Sequence, residues 1–182
     1  MRYDVVIIGG GKAGLTAGLE LQKAGKHTLV VAAGLSLNQT PRAEYLAQGG
    51  TILPGDAVVS GEFEKGKLLA VRTEKLGQTL IQADSFILCT GKYFGKGLAT
   101  DMDKVYETVF GCDVDYIADR SAWVNPDFFA PQPFMAFGVK TDEKGRVSIG
   151  GATVENLYAA GEILAGDVDI EKSALEVCRN LI

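Results

Sequence analysis

Histidine is almost missing from this sequence. His27 is the only one in 182 residues. It stands where a second strand would begin, across the sheet from a ligand held at the strand ends, so it is no candidate for acid–base chemistry. Cysteine is scarce too: Cys89, Cys112 and Cys178 are far apart, odd in number, and form no C-x-x-C. That excludes an iron–sulfur or zinc site built from this chain alone and predicts three buried, reduced thiols, as in a cytoplasmic protein. Positive charge is in deficit, with 18 Lys and Arg against 23 Asp and Glu. A nucleic-acid or anionic-membrane surface would need the opposite balance. No apolar run is long enough to span a bilayer; "DVVIIGGG" and "FILCTG" are strand-length and end in glycine. The N-terminus enters a strand at once, which leaves no room for a signal sequence. Internal repeats and low-complexity linkers are also lacking.

What is there is ordinary for a globular protein: 47% apolar and 23% charged residues. The length predicts one domain over 1–182, and a domain near this size buries about 70% of its unfolded surface. "DVVII" (4–8) reads as a β-branched strand. "LTAGLELQKAG" (15–25) reads as a helix of about three turns, with Gly25 at its end. "HTLVVAAG" (27–34) is the next strand, and the three together make a β–α–β unit. A short helix is expected over 41–48 and a brief strand within "GGTILPG". Three strand-like runs follow, at 57–62, 68–73 and 79–83, with turn-like separators. They predict an antiparallel β-meander inserted as a crossover. "DSFILCTG" (84–91) then returns as a buried strand. Residues 92–137 have no clear periodicity. "VSIGG" and "NLYAAG" are the last strand candidates, and 169–182 predicts a closing amphipathic helix.

The strongest local signal is Gly9-x-Gly11-x-x-Gly14, placed between strand and helix. Gly9 permits the tight turn, Gly11 lets backbone approach a phosphate, and Gly14 lets helix and strand pack closely. The helix start, with Lys12 and Ala13, then offers unpaired N–H groups to an anion. Two further strands end in the same way, one in Thr90-Gly91 and one in Gly161-Glu162. An acid after such a glycine can accept hydrogen bonds from a polyol.

The order of these motifs resembles the glutathione-reductase-like flavoproteins. That resemblance implies a three-layer α/β FAD/NAD(P)-binding Rossmann-like fold, a parallel sheet with an antiparallel meander. The segments 1–25, 83–98 and 127–164 are more specific. "MRYDVVIIGGGKAGLTAGLELQKAG", "ADSFILCTGKYFGKGL" and above all "DFFAPQPFMAFGV" resemble the B-type subunit of the anaerobic glycerol-3-phosphate dehydrogenases. The resemblance implies an oxidoreductase subunit that passes electrons, with FAD or FMN as cofactor. The assembly oxidises glycerol 3-phosphate to dihydroxyacetone phosphate and feeds a quinone-linked acceptor. Its partners would be a flavoprotein subunit and an iron–sulfur subunit, the latter supplying any peripheral contact with the inner membrane. It also implies cofactor contacts at Gly9, Gly11, Lys12, Ala13, Gly14, Ala32, Ala33, Gly34, Val58, Thr90, Gly91, Gly161 and Glu162.

Two departures bear on this. The substrate-domain segment expected between Ser36 and the meander is nearly absent. The glycine-rich stretch after Glu162 is reduced to "LAGDVDIEKSALEV", with a helix start expected near Asp167. Asp167 and Asp169 there would disfavour a phosphate by a few tenths to about 1 kcal/mol. Further, the second strand ends in Ala32, where an acid commonly holds an adenosine ribose. This counts against NAD, and the lack of a nearby arginine counts against NADP. It leaves FMN, or FAD held by Ser36, Asn38 or Gln39. Arg42, Lys92 and Lys96 are candidates for a phosphate. Tyr93, Phe94, Trp123, Phe128 and Phe129 are candidates for covering a flavin, facing a partner or packing the core. The alternatives are a cofactor-free scaffold that keeps the fold and a small FAD-binding reductase unrelated to glycerol metabolism.

Overall fold

The computed structural model describes residues 1–34 and 39–182. Strand β1 (Arg2–Ile8) leads through a glycine turn into α1 (Lys12–Lys23), then β2 (Thr28–Ala32), α2 (Gln39–Ala47) and β3 (Thr51–Pro54). The meander is β4 (Val58–Glu64) and β5 (Lys67–Thr73), followed by β6 (Ile81–Leu88). Two short antiparallel pairs come next, β7 (Leu98–Asp101) with β8 (Lys104–Glu107) and β9 (Val114–Asp115) with β10 (Gly138–Val139). The chain closes with β11 (Arg146–Ile149), β12 (Ala152–Ala159) and α3 (Ile170–Arg179).

The main sheet runs β11-β12-β6-β1-β2-β3, with β5 also on β6 and β4 on β5. β12, β6, β1, β2 and β3 are mutually parallel. The apolar alternation sorts the core by face. Val5, Ile7, Val30, Ala32, Ile87 and Cys89 pack against α1 and α3. Val6, Ile8, Val31, Phe86 and Leu88 pack against the meander and the 98–147 region. Both faces are therefore covered, which is why these strands read as continuous apolar runs. The three layers are helices, sheet, and meander with its flanking loops.

Several expectations are corrected. The run at 79–83 and the strand at 84–91 are one strand, β6. Its first residues pair antiparallel with β5 (Ala70↔Gln82, Val71↔Ile81) and its last pair parallel with β12 (Leu157↔Phe86 to Ala159↔Leu88). Between these two partners the side chain of Asn156 takes the place of a strand. Its Oδ1 accepts from the Leu68 amide, and its Nδ2 donates to the carbonyls of Leu68 and Asp84 (2.9 Å each). Residues 92–137 are not without structure; they hold β7, β8, β9 and two single-turn 3-10 segments, Arg120–Ala122 and Pro133–Ala136. The closing helix begins at Ile170, with the Asp169 carboxylate accepting from the Lys172 amide.

α1 ends as its sequence predicts. Gly25 takes φ 81°, its amide donates to Gln22 O and that of Lys26 to Leu21 O, the double bond of a glycine-stopped helix. Three buried thiols are free, and burial pushes that of Cys178 up to about 12.

Tyr45 on α2 is fully buried. Its hydroxyl shares a bond with Thr28 Oγ1 (2.8 Å) and donates toward the carbonyls of Thr28 and Thr51 (3.1 Å each). It ties α2 to the edge of the sheet. Tyr45→Phe removes these bonds while keeping the ring, and we expect a loss of about 1–2 kcal/mol. A urea unfolding curve checks this: the midpoint falls and the slope is unchanged.

Candidate functional site

β1 is the strand at which chain order reverses, because β2 lies on one side of it and β6 on the other. Open parallel sheets bind ligands outside the strand ends at such a point. A cleft of about 590 Å³ opens there, within the range of roughly 300–1,000 Å³ usual for ligand pockets. Gly9 to Ala13 form one side of it, and Thr90 and Gly91 at the end of β6 form the floor.

Glycine is required here by backbone proximity. A Cβ on Gly14 would overlap the carbonyl oxygen of Gly9, and one on Gly9 (φ 118°) would overlap that of Cys89. A Cβ on Gly161 would lie 2.5 Å from that of Ala13. Gly11 differs: nothing lies within 4 Å of a Cβ built there, so its outer face is open to the cleft. α1 has no side-chain cap and no acid in its first turn. Its first intrahelical bond is from the Leu15 amide to Gly11 O, which leaves the amides of Lys12, Ala13 and Gly14 as unpaired donors.

The structure gathers most of the expected residues on the cleft. Gly9, Gly11, Lys12, Ala13, Ala33, Gly34, Val58, Thr90, Gly91 and Glu162 all line it. Glu162 projects from the turn Gly161–Ile163, with Oε2 3.8 Å from where a Gly91 Cβ would sit. Gly14 and Gly161 stand behind the cleft as packing positions. Ala32 does not face it: it is 5% exposed, packed against Gly10, whose Cβ would come within 2.5 Å of its own. Lys12 is drawn sideways to Glu171 in the first turn of α3 (3.1 Å), with both side chains about half exposed. Lys92 is directed elsewhere, donating to the carbonyl of Met135. Partial burial lowers the pKa of its ammonium, against the pull of Glu162 and Asp167. Arg42 lines a very small recess of about 10 Å³ with Gly10, Ala32 and Gly34, which corrects the reading that no arginine lies near the end of β2. His27 stacks on Tyr3 (4.6 Å) at the opposite end of the strands. Ser36 and Asn38 fall outside the described residues, as does the side chain of Gln39.

Sequence reasoning missed part of the lining. Gly95 joins Lys96, already a phosphate candidate, on the cleft because the loop after Gly91 folds back: a Cβ on Gly95 would overlap Thr90 O, and one on Gly97 would overlap Gly91 O. The run "GKYFGKG" carried that signal. Val59, Thr108 and Val109 also line the cleft, and nothing local in the sequence marks them. Among the described residues, Thr90 Oγ1 is the buried side-chain polar atom with no hydrogen-bond partner. An orphaned hydroxyl in the wall, unpaired amides at the helix start and apolar walls from Ile8, Val31 and Val58 suit a long phosphate-bearing cofactor with an aromatic body.

The model of the FAD binding domain family matches residues 4–65 and 41–171. The B-type subunit of the anaerobic glycerol-3-phosphate dehydrogenase of Vibrio vulnificus is 40% identical over 136 residues, 73% of this chain and 31% of that protein. The subunit of the same name from Yersinia pseudotuberculosis is 35% identical over 133 residues, with the same coverage. The chain thus spans about a third of the length of the curated relatives it matches. Among solved structures, an oxidoreductase from Agrobacterium tumefaciens superposes with a TM-score of 0.64 at 14% identity, over 100% of this chain and 97% of that one. A thioredoxin reductase from Gloeobacter violaceus gives 0.62 at 12% identity, over 99% and 93%. These two likenesses are of fold.

Two alanine substitutions separate folding from binding at the loop. Gly14→Ala forces helix and strand apart, and we expect destabilisation of about 2 kcal/mol or more. Gly11→Ala meets no neighbour, so stability changes by less than about 1 kcal/mol while flavin affinity falls about tenfold or more. Thermal unfolding of both, with flavin titration of Gly11→Ala, checks the contrast.

Proposed function

The chain belongs to the FAD binding domain family, and from that premise we propose that it holds FAD as the electron-transferring part of an anaerobic glycerol-3-phosphate dehydrogenase-like assembly. The observation that carries this reading is the uncapped, acid-free start of α1 opening on the cleft beside the orphaned Thr90 hydroxyl. The 40% identity to a protein named as a subunit of that dehydrogenase supports the choice of assembly. In it, glycerol 3-phosphate would be oxidised to dihydroxyacetone phosphate and the electrons would leave toward a quinone-linked acceptor.

The flavin, when bound, supplies the redox chemistry, accepting a hydride equivalent and passing on electrons. The chain supplies position and field. The amides of Lys12, Ala13 and Gly14 would donate to the pyrophosphate. The side chain of Lys12 is turned toward Glu171, so the backbone donors meet the anion directly. Glu162 would accept from hydroxyls of the ribityl chain, and Thr90 would find the partner it lacks. Val31, Val58 and Val109 would exclude water from one side. The start of α3 is less available, because the Asp169 side chain caps it. That favours, as a second reading, a module that has kept the fold with weakened flavin binding.

Partner subunits fit the outward-facing rings. Trp123 is buried, with its Nε1 donating to Ile117 O (2.6 Å), and Tyr93 is edge-on to Phe134. These two serve the core. Phe94, Phe128 and Phe129 are 102%, 84% and 94% exposed. Phe128 and Phe129 stand on a braced loop: Gln132 accepts from the Asn125 amide and donates to Asp127 O and Ala130 O. A rigid loop that holds two rings in water is suited to a protein interface. A partner subunit holding iron–sulfur clusters would provide any contact with the membrane; no helix among the described residues is long and apolar enough to cross one.

A visible absorption spectrum of the purified protein, with chromatography of the flavin released on denaturation, tests the reading. We expect FAD; a colourless protein that neither flavin reconstitutes would overturn it. Thr90→Val should leave the flavin-free protein as stable or up to about 1 kcal/mol more stable, since it removes an unpaired buried hydroxyl. It should still weaken flavin binding several-fold, as read by fluorescence titration. Phe128→Ser with Phe129→Ser should leave flavin binding intact and reduce co-purification with the sister subunits about tenfold or more.

A further inference from the structure

We propose that Lys96 is a phosphate anchor of the cleft, meeting from the meander side the anion that the start of α1 meets from the helix side. The inference rests on the FAD reading and deepens it. Lys96 has φ 60°, in the left-handed region. Among the described non-glycine residues only Lys65 shares this, in the Lys65-Gly66 turn of the β4–β5 hairpin. The turn at Lys96 closes with the paired bonds that end a helix: the Lys96 amide donates to Tyr93 O (3.1 Å) and that of Gly97 to Lys92 O (3.0 Å). Glycine is the usual residue at such a position. Lysine stands there instead, and its carbonyl is held by Thr108 Oγ1 (2.7 Å). Its neighbours Gly95 and Gly97 are pressed on Thr90 and Gly91, where no Cβ fits. Within 95–97, therefore, only position 96 can carry a side chain, and that side chain lines the cleft. A left-handed backbone is costly for a residue with a Cβ, and strain of this kind persists where the surroundings fix it, above all at ligand sites.

Leu98 and Val105, beside this turn, belong to the core on the meander face of the sheet, whereas Ala13 and Leu15 of α1 belong to the core on the helix face. Lys96 and the start of α1 thus reach one cleft from opposite faces, and an anion above the strand ends lies between them. Lys96 is exposed, and its ammonium has no ion-pair partner among the described residues. Residues 35–38, Leu-Ser-Leu-Asn, hold no acid. Lys12, the other cation among the described lining residues, is turned toward Glu171. An ammonium donates charge-assisted hydrogen bonds to phosphate oxygens. The ligand chemistry is therefore a phosphate group. In the FAD reading it is the diphosphate of the cofactor, and the phosphate ester of a small substrate is the other source.

Calorimetric titration of the full chain and of Lys96→Ala, Lys96→Arg and Lys96→Gly tests this, with FAD, riboflavin, inorganic pyrophosphate and glycerol 3-phosphate as probes. Lys96→Ala is expected to weaken FAD and pyrophosphate about threefold to tenfold at low salt, a range that allows for solvent screening of an exposed ammonium. The difference should close at high salt. Riboflavin, which has no phosphate, should bind unchanged. Lys96→Arg keeps the charge and should bind FAD within about twofold of the wild type. Lys96→Gly relieves the backbone, so it should lose as much FAD affinity as Lys96→Ala with a flavin-free thermal midpoint no lower than the wild type, which separates lost charge from lost fold. A loss for glycerol 3-phosphate without one for FAD would assign the phosphate to the substrate. Equal losses for FAD and riboflavin, or no loss for any phosphate-bearing probe, would each overturn the proposal. Should the wild type bind no flavin, the FAD reading fails. The Lys96 inference is then decided by pyrophosphate and glycerol 3-phosphate, and falls if Lys96→Ala binds both as the wild type does.

Discussion

Everything in the cleft depends on one steric fact: backbone meets backbone where β1, β6, β12 and α1 converge. Gly14 sits against the carbonyl of Gly9, Gly9 against that of Cys89, and Gly161 against Ala13. No Cβ fits at any of these three positions. The close approach sets α1 with its first turn directly over the ends of the parallel strands. Unpaired amides therefore face an opening rather than a neighbouring side chain. Protein interiors are close-packed, so a single methyl group here would move whole elements. The loop after Gly91 repeats the principle one layer out, with Gly95 and Gly97 pressed against Thr90 and Gly91.

Around this contact, buried polar side chains shape the loops that wall the cleft. Glu107 is 2% exposed, and its carboxylate accepts from the amides of Val109, Phe110 and Cys112. That bend brings Thr108 and Val109 to the cleft. Asp56 does similar work before β4, accepting from Thr73 Oγ1 and from the amides of Ala57 and Lys75. Asp113 accepts from the amides of Gly150 and Gly151 at the β11–β12 turn. Hydrogen bonding to Ser148, and to these amides, holds the Asp113 carboxyl below the usual range. Each charge is buried or half-buried because fixed N–H donors take the place of water. Asn156 belongs with them, since its amide bridges the gap where β6 changes partner.

The electrostatics around the helix starts are asymmetric. α1 is left uncapped, whereas α3 is capped by Asp169. Lys12 and Glu171 join the two first turns by an ion pair across half-exposed surface, a contact worth little by itself. Its consequence lies in direction: the lysine of the glycine loop is turned toward α3. Any anion in the cleft then meets backbone dipoles at the start of α1, with Lys96 also among the residues that line it.

The β–α–β unit, the glycine loop, the closing helix and the Thr-Gly and Gly-Glu strand ends were legible in the chain itself. Period-2 and period-3.6 apolar patterns, and glycine where no side chain fits, are local signals set by backbone geometry. Gly25 is such a case: its φ of 81° follows from where the helix pattern stops. The rest depended on residues far apart in sequence. That 79–83 and 84–91 form one strand follows only from its two different partners, β5 and β12. That Ala32 turns away from the cleft follows from the pleat of β2 against Gly10. That Arg42 reaches the end of β2 follows from where Tyr45 pins α2. Val109 and Thr108 come to the cleft through a buried glutamate that no periodicity announces. Local geometry is written residue by residue, so the sequence alone determined the elements and the phosphate-binding turn. Which side chains share a surface is decided by packing between elements, and only the tertiary structure carries that.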